Sequence, residues 1–172
     1  MLTTIAHGLS LLGSGYVIFP LAAVSCAVLY RWGAGTNALL VALSTAGGVL
    51  IATVDKVLVG RQRPPVHHLE LVSGLSFPSG HATQATAFFL ALLSAARLSR
   101  RPPAVAAIAG VTAGVLILGI AVSRVYVGVH YPSDVAAGVL LGGAWTAVVT
   151  ALLRRNAFAP HRPEVGRGQE AK

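Results

Sequence analysis

Charged side chains are scarce in this sequence. They make up 10% of its 172 residues, and only five of them are Asp or Glu. A soluble domain is typically about one quarter charged, so the composition excludes an ordinary soluble protein and leaves no room for a separate soluble domain. The single cysteine, Cys26, excludes an internal disulfide bond. The mean hydropathy of +0.73 indicates a polytopic membrane protein.

The apolar residues lie in long runs. Five stretches contain no Asp, Glu, Lys or Arg: 1–30, 32–54, 71–96, 102–123 and 135–153. Several exceed the roughly 20 apolar residues that a helix needs to cross a bilayer. We therefore predict an all-α fold, a polytopic transmembrane helix bundle with about five spans, at 13–30, 37–55, 81–97, 104–123 and 131–153. Residues 1–12 form either an interfacial helix or the outer part of the first span.

The basic residues predict how the chain is arranged across the membrane. The net charge of +8 does not indicate nucleic-acid binding, because the cations lie at the ends of apolar segments. Alternating spans put nine Lys and Arg residues on one side, which the positive-inside rule makes cytoplasmic. The N-terminus then lies outside. We predict one transmembrane domain over 1–155 and a disordered, basic cytoplasmic tail over 156–172. The other four cations share the outer side: Lys56, Arg61, Arg63 and Arg124.

One stretch, 123–134, concentrates polar residues between two apolar segments. It contains Arg124, His130 and Asp134, and ionisable groups beside membrane segments are costly enough to suggest a functional site. Pro132 suits the first turn of a helix, which places Asp134 about one turn beyond His130. The carboxylate can then fix the imidazole tautomer and leave the second nitrogen free to react. A purely structural His–Asp pair at a helix start is the alternative.

Three polar clusters fall on the predicted outer side: 56–64, 78–81 and 123–134. Together they supply cations, two histidines and one carboxylate, which is a suitable set for a phosphoryl group. Cations and a helix N-terminus bind phosphate oxygens, one histidine attacks phosphorus and the other protonates the leaving oxygen. Ser79 is a plausible N-cap residue, and Gly80 lets an anion approach the backbone.

These clusters carry a specific resemblance. Six residues separate Lys56 from Arg63 and Pro64, and Pro78, Ser79, Gly80 and His81 are consecutive. Five residues separate the Ser123–Arg124 pair from His130, and three more separate His130 from Asp134. In this order and spacing the sequence resembles the type 2 phosphatidic acid phosphatase (PAP2) superfamily of membrane lipid phosphate phosphatases. Many membrane members have six spans, whereas five are counted here, which is a departure at the early helices that form the lipid entrance.

The resemblance implies a role for each matching residue. His130 becomes the nucleophile that forms a phosphohistidine, Asp134 orients it, and His81 is the general acid. The implied phosphate-binding residues are Lys56, Arg63, Ser79, Gly80 and Arg124. The implied activity is a metal-independent phosphatase, without a cofactor, in the plasma membrane of a bacterium and with its active site on the outer face. Its substrate is a lipid phosphate such as undecaprenyl pyrophosphate, phosphatidylglycerol phosphate or a prenyl-linked phosphate. The oligomeric state is left open.

Other interpretations of the same residues compete with this one. A two-metal phosphatase needs several carboxylates, and outside the tail the chain has only Asp55, Glu70 and Asp134. A zinc site of His81, His130 and Asp134 is chemically possible but is disfavoured by the flanking cations. A small-molecule phosphatase, a vanadate-dependent haloperoxidase and a non-enzymatic lipid-binding or transporting protein complete the alternatives.

A few further residues have weaker expectations. Arg61 either assists with phosphate or a lipid headgroup or has no role. Glu70 lies in a loop, and the sequence indicates no partner for His7 or His161. Two pairs of glycines at helix-packing spacing, Gly110 with Gly114 and Gly138 with Gly142, are expected to let helices approach closely.

Overall fold

The computed structural model describes residues 1–99 and 102–157, and this part of the chain is all helical, which confirms the predicted fold class. The apolar runs fold as helices because a backbone in lipid must satisfy its own hydrogen bonds. In chain order the helices are α1 Leu2–Leu12, α2 Gly15–Arg31, α3 Gly35–Val59, α4 Gly80–Leu98, α5 Pro103–Tyr126 and α6 Pro132–Ala157. Helix α6 therefore enters the region predicted as a tail, and the rest of that tail, 158–172, lies outside the described residues.

Three of the helices, α3, α5 and α6, are long and apolar enough to cross a membrane, so the chain is an integral membrane protein. The consecutive helices α1 and α2 qualify together as a fourth span that is bent by 48°. Helix α4 is less apolar because it lies at the centre, packed against α3, α5 and α6. Its buried face includes Thr83, Gln84 and Thr86, which neighbouring helices cover instead of lipid. The predicted count of five spans is reached only if α4 is included.

The break between α1 and α2 leaves both expectations for residues 1–12 open, because the two helices also qualify together as one bent span. These residues form a separate helix, which packs mainly against α5. At that contact, a Cβ added to Gly119 would lie 3.2 Å from Leu9 Cδ2. The break itself is anchored to the central helix, because Gln84 Nε2 donates a hydrogen bond to the Gly13 carbonyl oxygen at 2.6 Å. The bend thus brings α1 over one end of the bundle.

Glycines of α6 allow its backbone to pack directly against the backbone of α4. A Cβ on Gly142 would lie 2.5 Å from the Thr83 carbonyl oxygen, and one on Gly138 would lie 2.8 Å from the Ser79 carbonyl oxygen. This pair therefore packs as the sequence predicts. The other pair does not: a Cβ on Gly114 would meet no atom within 4 Å, so its expected close contact is wrong.

The two ends of the bundle carry different cations. Helices α2, α4 and α6 end with Arg31, Arg97, and Arg154 with Arg155. Helices α3 and α5 run in the opposite sense and end with Lys56 and Arg124. Arg100, Arg101 and the tail cations, which entered the charge count, lie outside the described residues. The second end, with Lys56 and Arg124, also holds the three polar clusters.

Candidate active site

Backbone and side-chain contacts join the three polar clusters at one end of the bundle. Lys56 in the last turn of α3 donates from Nζ to the Pro78 carbonyl oxygen at 2.8 Å and to that of Leu75 at 2.9 Å. The Ser79 N–H, just before α4, donates to the Asp134 carbonyl oxygen at 3.0 Å. Segments far apart in sequence are thereby fixed side by side.

Arg63 holds the loop between α3 and α4 in place. Its guanidinium donates to three carbonyl oxygens, those of Ser73, Gly74 and Val129, at 3.0, 3.1 and 2.8 Å. A guanidinium has five N–H donors, so two remain for another ligand. Burial and the nearby positive charge of Arg124 lower the pKa of Arg63, although Asp134 opposes this change. Arg63 thus lies in the cationic cluster, and its contact with the Val129 carbonyl oxygen places it next to the residue that precedes His130.

His130 is buried in the turn between α5 and α6, where it is 4% exposed. Gly128, with φ of +77°, permits this turn, because left-handed backbone is strained for other residues. The Nδ1 atom lies 3.4 Å from Ser76 Oγ and 3.6 Å from Asp134 Oδ2. Burial lowers the pKa of His130, and the positive charges of Arg63 and Arg124 lower it further. The imidazole is therefore neutral at neutral pH, with Nδ1 engaged on the carboxylate side.

Asp134 is fully buried and heavily hydrogen-bonded. Its Oδ2 accepts from Ser76 Oγ at 2.5 Å and from the Tyr131 N–H at 3.0 Å, and its Oδ1 accepts from Arg61 Nη1 at 2.9 Å. Ser76 was not identified from the sequence, where a loop serine gives no signal. The sequence leaves open whether Arg61 assists with phosphate or a lipid headgroup; in the structure it contacts the Asp134 carboxylate.

Arg124 is the other buried cation, at 2% exposure. Its Nη1 donates to Glu70 Oε2 at 2.6 Å and also to Ser10 Oγ. Glu70 in turn accepts from Ser10 at 3.0 Å and pairs with His7 Nδ1 at 3.1 Å. Burial alone would raise the pKa of Glu70, but hydrogen bonds from Ser10 and Arg124 and the arginine charge lower it overall. The structure thus gives Glu70 and His7 partners that the sequence did not indicate.

His81, the second residue of α4, lines a cavity of about 410 Å³ together with Glu70 and Arg124. The charges of Arg124, Glu70, Arg63 and Lys56 all act on its ring, and three of these cations also act on His130. The cavity is otherwise lined by residues of the α1–α2 break and the adjoining loop: Ser14, Gly15, Tyr16, Phe19, Leu71 and Val72. The cavity thus brings apolar side chains next to the cationic cluster.

The start of α4 has unused hydrogen-bonding capacity. Ser79 is the N-cap residue, but its hydroxyl makes no cap hydrogen bond, and its Oγ is buried without a partner among the described residues. A Cβ on Gly80 would meet no atom within 4 Å, so the space beside this helix N-terminus is open. Such a terminus, with free N–H groups, suits an anion.

The described residues show no obvious metal site. Across 1–99 and 102–157, no three His, Cys, Asp or Glu side chains gather in an arrangement that could hold a metal ion.

The chain is similar to known families and proteins. Residues 37–158 match the sequence profile described as the PAP2 superfamily. Decaprenylphosphoryl-5-phosphoribose phosphatase of Mycobacterium tuberculosis is 44% identical over 103 residues, which cover 58% of this chain and 51% of that protein. Phosphatidylglycerophosphatase B of Bacillus subtilis is 34% identical over 147 residues, covering 82% of this chain and 70% of that protein. The chain thus spans about half the length of the mycobacterial relative and more of the Bacillus one.

The fold has a solved counterpart. The crystal structure of a transmembrane PAP2 type phosphatidylglycerolphosphate phosphatase from Bacillus subtilis superposes with a TM-score of 0.80 at 27% identity. The alignment covers 94% of this chain and 80% of that protein. The helices that carry the site are therefore arranged as in a membrane protein of that description.

Proposed function

The chain belongs to the PAP2 superfamily, and from this premise we propose that it is a membrane phosphatase that releases phosphate from a lipid phosphomonoester or pyrophosphate through a phosphohistidine. The observation that carries the proposal is the state of His130. Its Nδ1 faces Ser76 and Asp134, so its Nε2 is the nitrogen left for phosphorus. A neutral, oriented imidazole among cations is a nucleophile matched to a phosphate group.

The proposed reaction has two steps. In the first, His130 Nε2 attacks phosphorus while the bond to the leaving oxygen breaks, and His81 donates the proton that this oxygen requires. In the second, His81 takes a proton from water, the water oxygen attacks the phosphohistidine, and inorganic phosphate leaves with His130 restored. Lys56, Arg63 and Arg124 stabilise the charge on the equatorial oxygens, and Ser79 and the Gly80 N–H donate hydrogen bonds to them. No metal or cofactor takes part in these steps.

The proposed substrate is a bacterial lipid whose phosphate lies at the membrane surface. The relatives are named for a decaprenyl-linked phosphoribose phosphate and for phosphatidylglycerol phosphate. Undecaprenyl pyrophosphate is the candidate substrate that carries a pyrophosphate. The cavity beside His81 supports a lipid substrate, because its wall at the α1–α2 break is largely apolar. The positive-inside rule, applied to the Lys and Arg residues of the sequence, favours the outer face of the plasma membrane for this site.

A phosphate-release assay tests the proposal. Purified protein in detergent is given prenyl-linked, glycerolipid and pyrophosphate substrates in the presence of a chelator, and the parent is compared with His130→Ala. We expect release by the parent to persist with chelator and to vanish in the variant. The control is His67→Ala, which removes an exposed imidazole from the same end of the molecule and keeps activity. Turnover by a correctly folded His130→Ala protein would contradict the mechanism.

A further inference from the structure

We infer that Arg61 is a positioning residue, which holds the buried Asp134 carboxylate in the orientation that faces His130, and that it is not a phosphate ligand. The inference rests on the proposed function, in which His130 is the nucleophile. It gives a role to Arg61, which among the described residues is the cation at this end of the bundle that lies outside the family motifs. It also separates Arg61 from Arg63, two positions further along the chain.

The contacts of Arg61 fix its guanidinium against the start of α6. Nη1 donates to Asp134 Oδ1 at 2.9 Å and to Ser133 Oγ at 2.8 Å. The guanidinium carbon also lies 4.0 Å from the centroid of the Tyr131 ring, a favourable cation–π arrangement. Three groups within one helical turn therefore hold this side chain, and a charged hydrogen bond to a carboxylate is among the stronger contacts in proteins.

The two oxygens of Asp134 have separate tasks. Oδ2 accepts from Ser76 and from the Tyr131 N–H and lies 3.6 Å from His130 Nδ1. Arg61 takes Oδ1, the other oxygen. Arg61 is therefore bound to the carboxylate that faces His130 Nδ1. Phosphorus must approach His130 Nε2, on the opposite edge of the imidazole. An arginine held there orients the nucleophile through Asp134 and does not bind the phosphate.

Burial explains why Asp134 needs this partner. The carboxylate is 0% exposed, and a buried charge is costly unless it is paired and hydrogen-bonded. The Arg61 side chain is 36% exposed. The guanidinium therefore stays in contact with solvent while it neutralises the Asp134 carboxylate, which has no contact with solvent. Without Arg61 the buried Oδ1 would lose its charged partner and the carboxylate could turn away, so His130 would lose its orienting partner.

Steady-state kinetics on the best substrate of the parent test the inference first. Arg61→Met should lower kcat on the order of 10- to 100-fold, because the nucleophile is misoriented, and leave KM nearly unchanged. Arg61→Lys keeps the charge and should recover part of the loss. Gln62→Ala, at the exposed neighbouring position, is the control that keeps parental kinetics. A rise in KM with kcat intact would mean that Arg61 binds phosphate and would overturn the inference.

A double-mutant cycle on thermal stability gives a second readout that needs no turnover. Arg61→Met should lower the melting temperature of the parent clearly and that of Asp134→Asn much less, because the two side chains act on each other. Equal losses in both backgrounds would overturn the inference. Arg61→Lys replaces Arg61→Met in the cycle if the latter does not fold. A parent that releases no phosphate would sink the proposed function, while this cycle would still test whether Arg61 holds the Asp134 carboxylate.

Discussion

Glu70 Oε2 lies 2.6 Å from Arg124 Nη1, so a loop carboxylate neutralises the most deeply buried cation of the site. Ser10 of α1 contacts both side chains, which ties the first helix to the end of α5. In the absence of a substrate, this carboxylate partly offsets the positive charge that a phosphate would otherwise meet. The pair thus links the stability of the folded chain to the electrostatics of the proposed phosphate site.

Replacing Glu70 with Gln should destabilise the protein at neutral pH. The buried guanidinium loses its counter-charge, and we expect a loss of about 1–3 kcal/mol, the range for hydrogen bonds to charged groups. Thermal unfolding in detergent at pH 7 measures it. The control is Asp55→Asn, because Asp55 makes no hydrogen bond or ion pair among the described residues.

Glu70→Gln should also remove the part of the protein's stability that depends on the ionisation of Glu70. The pKa of Glu70 is lowered in the folded state, so its stabilising effect is fully present above the unfolded-state pKa of about 4.3. It is lost as the pH falls through the lower folded-state pKa. The parent and Glu70→Gln should therefore converge in melting temperature below that range. A constant difference across the range would show that the charge of Glu70 is not involved.

Much of this architecture could be predicted from the sequence, because lipid imposes a simple rule on it. Apolar runs must become helices, and polar residues at their ends must face water or a site. The alternation of spans across the membrane then groups His81 and His130 with their cations on one side. The structure places both imidazoles in the field of the same three cations, as the grouping requires.

The contacts that the sequence could not predict depend on the path of the loop between α3 and α4. Ser76 reaches Asp134 across 58 positions, and His7 reaches Glu70 across 63. No periodicity encodes such pairs, because they follow from where the loop and the α1–α2 bend lie in space. The glycine pairs illustrate the same limit, since Gly138 packs against a helix and Gly114 does not, although both belong to the same spacing pattern.

Replacing Gly142 with Ala should separate α4 from α6. The new methyl group would lie 2.5 Å from the Thr83 carbonyl oxygen, and backbone must move to admit it. Overpacking of this kind costs about 1–3 kcal/mol, measured as a lower melting temperature. The adjacent Gly143→Ala is the matched control: its nearest neighbour would be Leu90 Cδ1 at 3.7 Å. That variant should be neutral or gain up to about 1 kcal/mol from helix propensity, and an equal loss in both would refute the packing argument.

Replacing Ser79 with Ala should leave stability unchanged or slightly improved but weaken phosphate binding. Its buried hydroxyl has no partner among the described residues, so its removal relieves a desolvation cost in the free protein. A bound oxyanion would supply the missing partner. We expect the Kd for orthovanadate, a phosphate mimic, to rise about tenfold, measured by calorimetry.

Ser44→Ala is the matched control for this experiment. Ser44 in α3 also has a buried hydroxyl without a partner in the described part of the chain, but it lies outside the three polar clusters. Its replacement should affect stability alone. Unchanged vanadate affinity in Ser79→Ala would show that this hydroxyl does not reach the phosphate.

Replacing His81 with Ala should be most harmful where the leaving oxygen most needs a proton. An alkoxide from a lipid alcohol leaves poorly, whereas nitrophenolate leaves without protonation, so a general acid matters only for the first. We expect kcat/KM for a lipid phosphate to fall about 10²- to 10⁴-fold and that for a nitrophenyl phosphate to fall far less. His130→Ala, the comparison variant, should lose both activities, since both substrates require the nucleophile. Equal losses on the two substrates in His81→Ala would assign this histidine to binding or to the hydrolysis of the phosphohistidine.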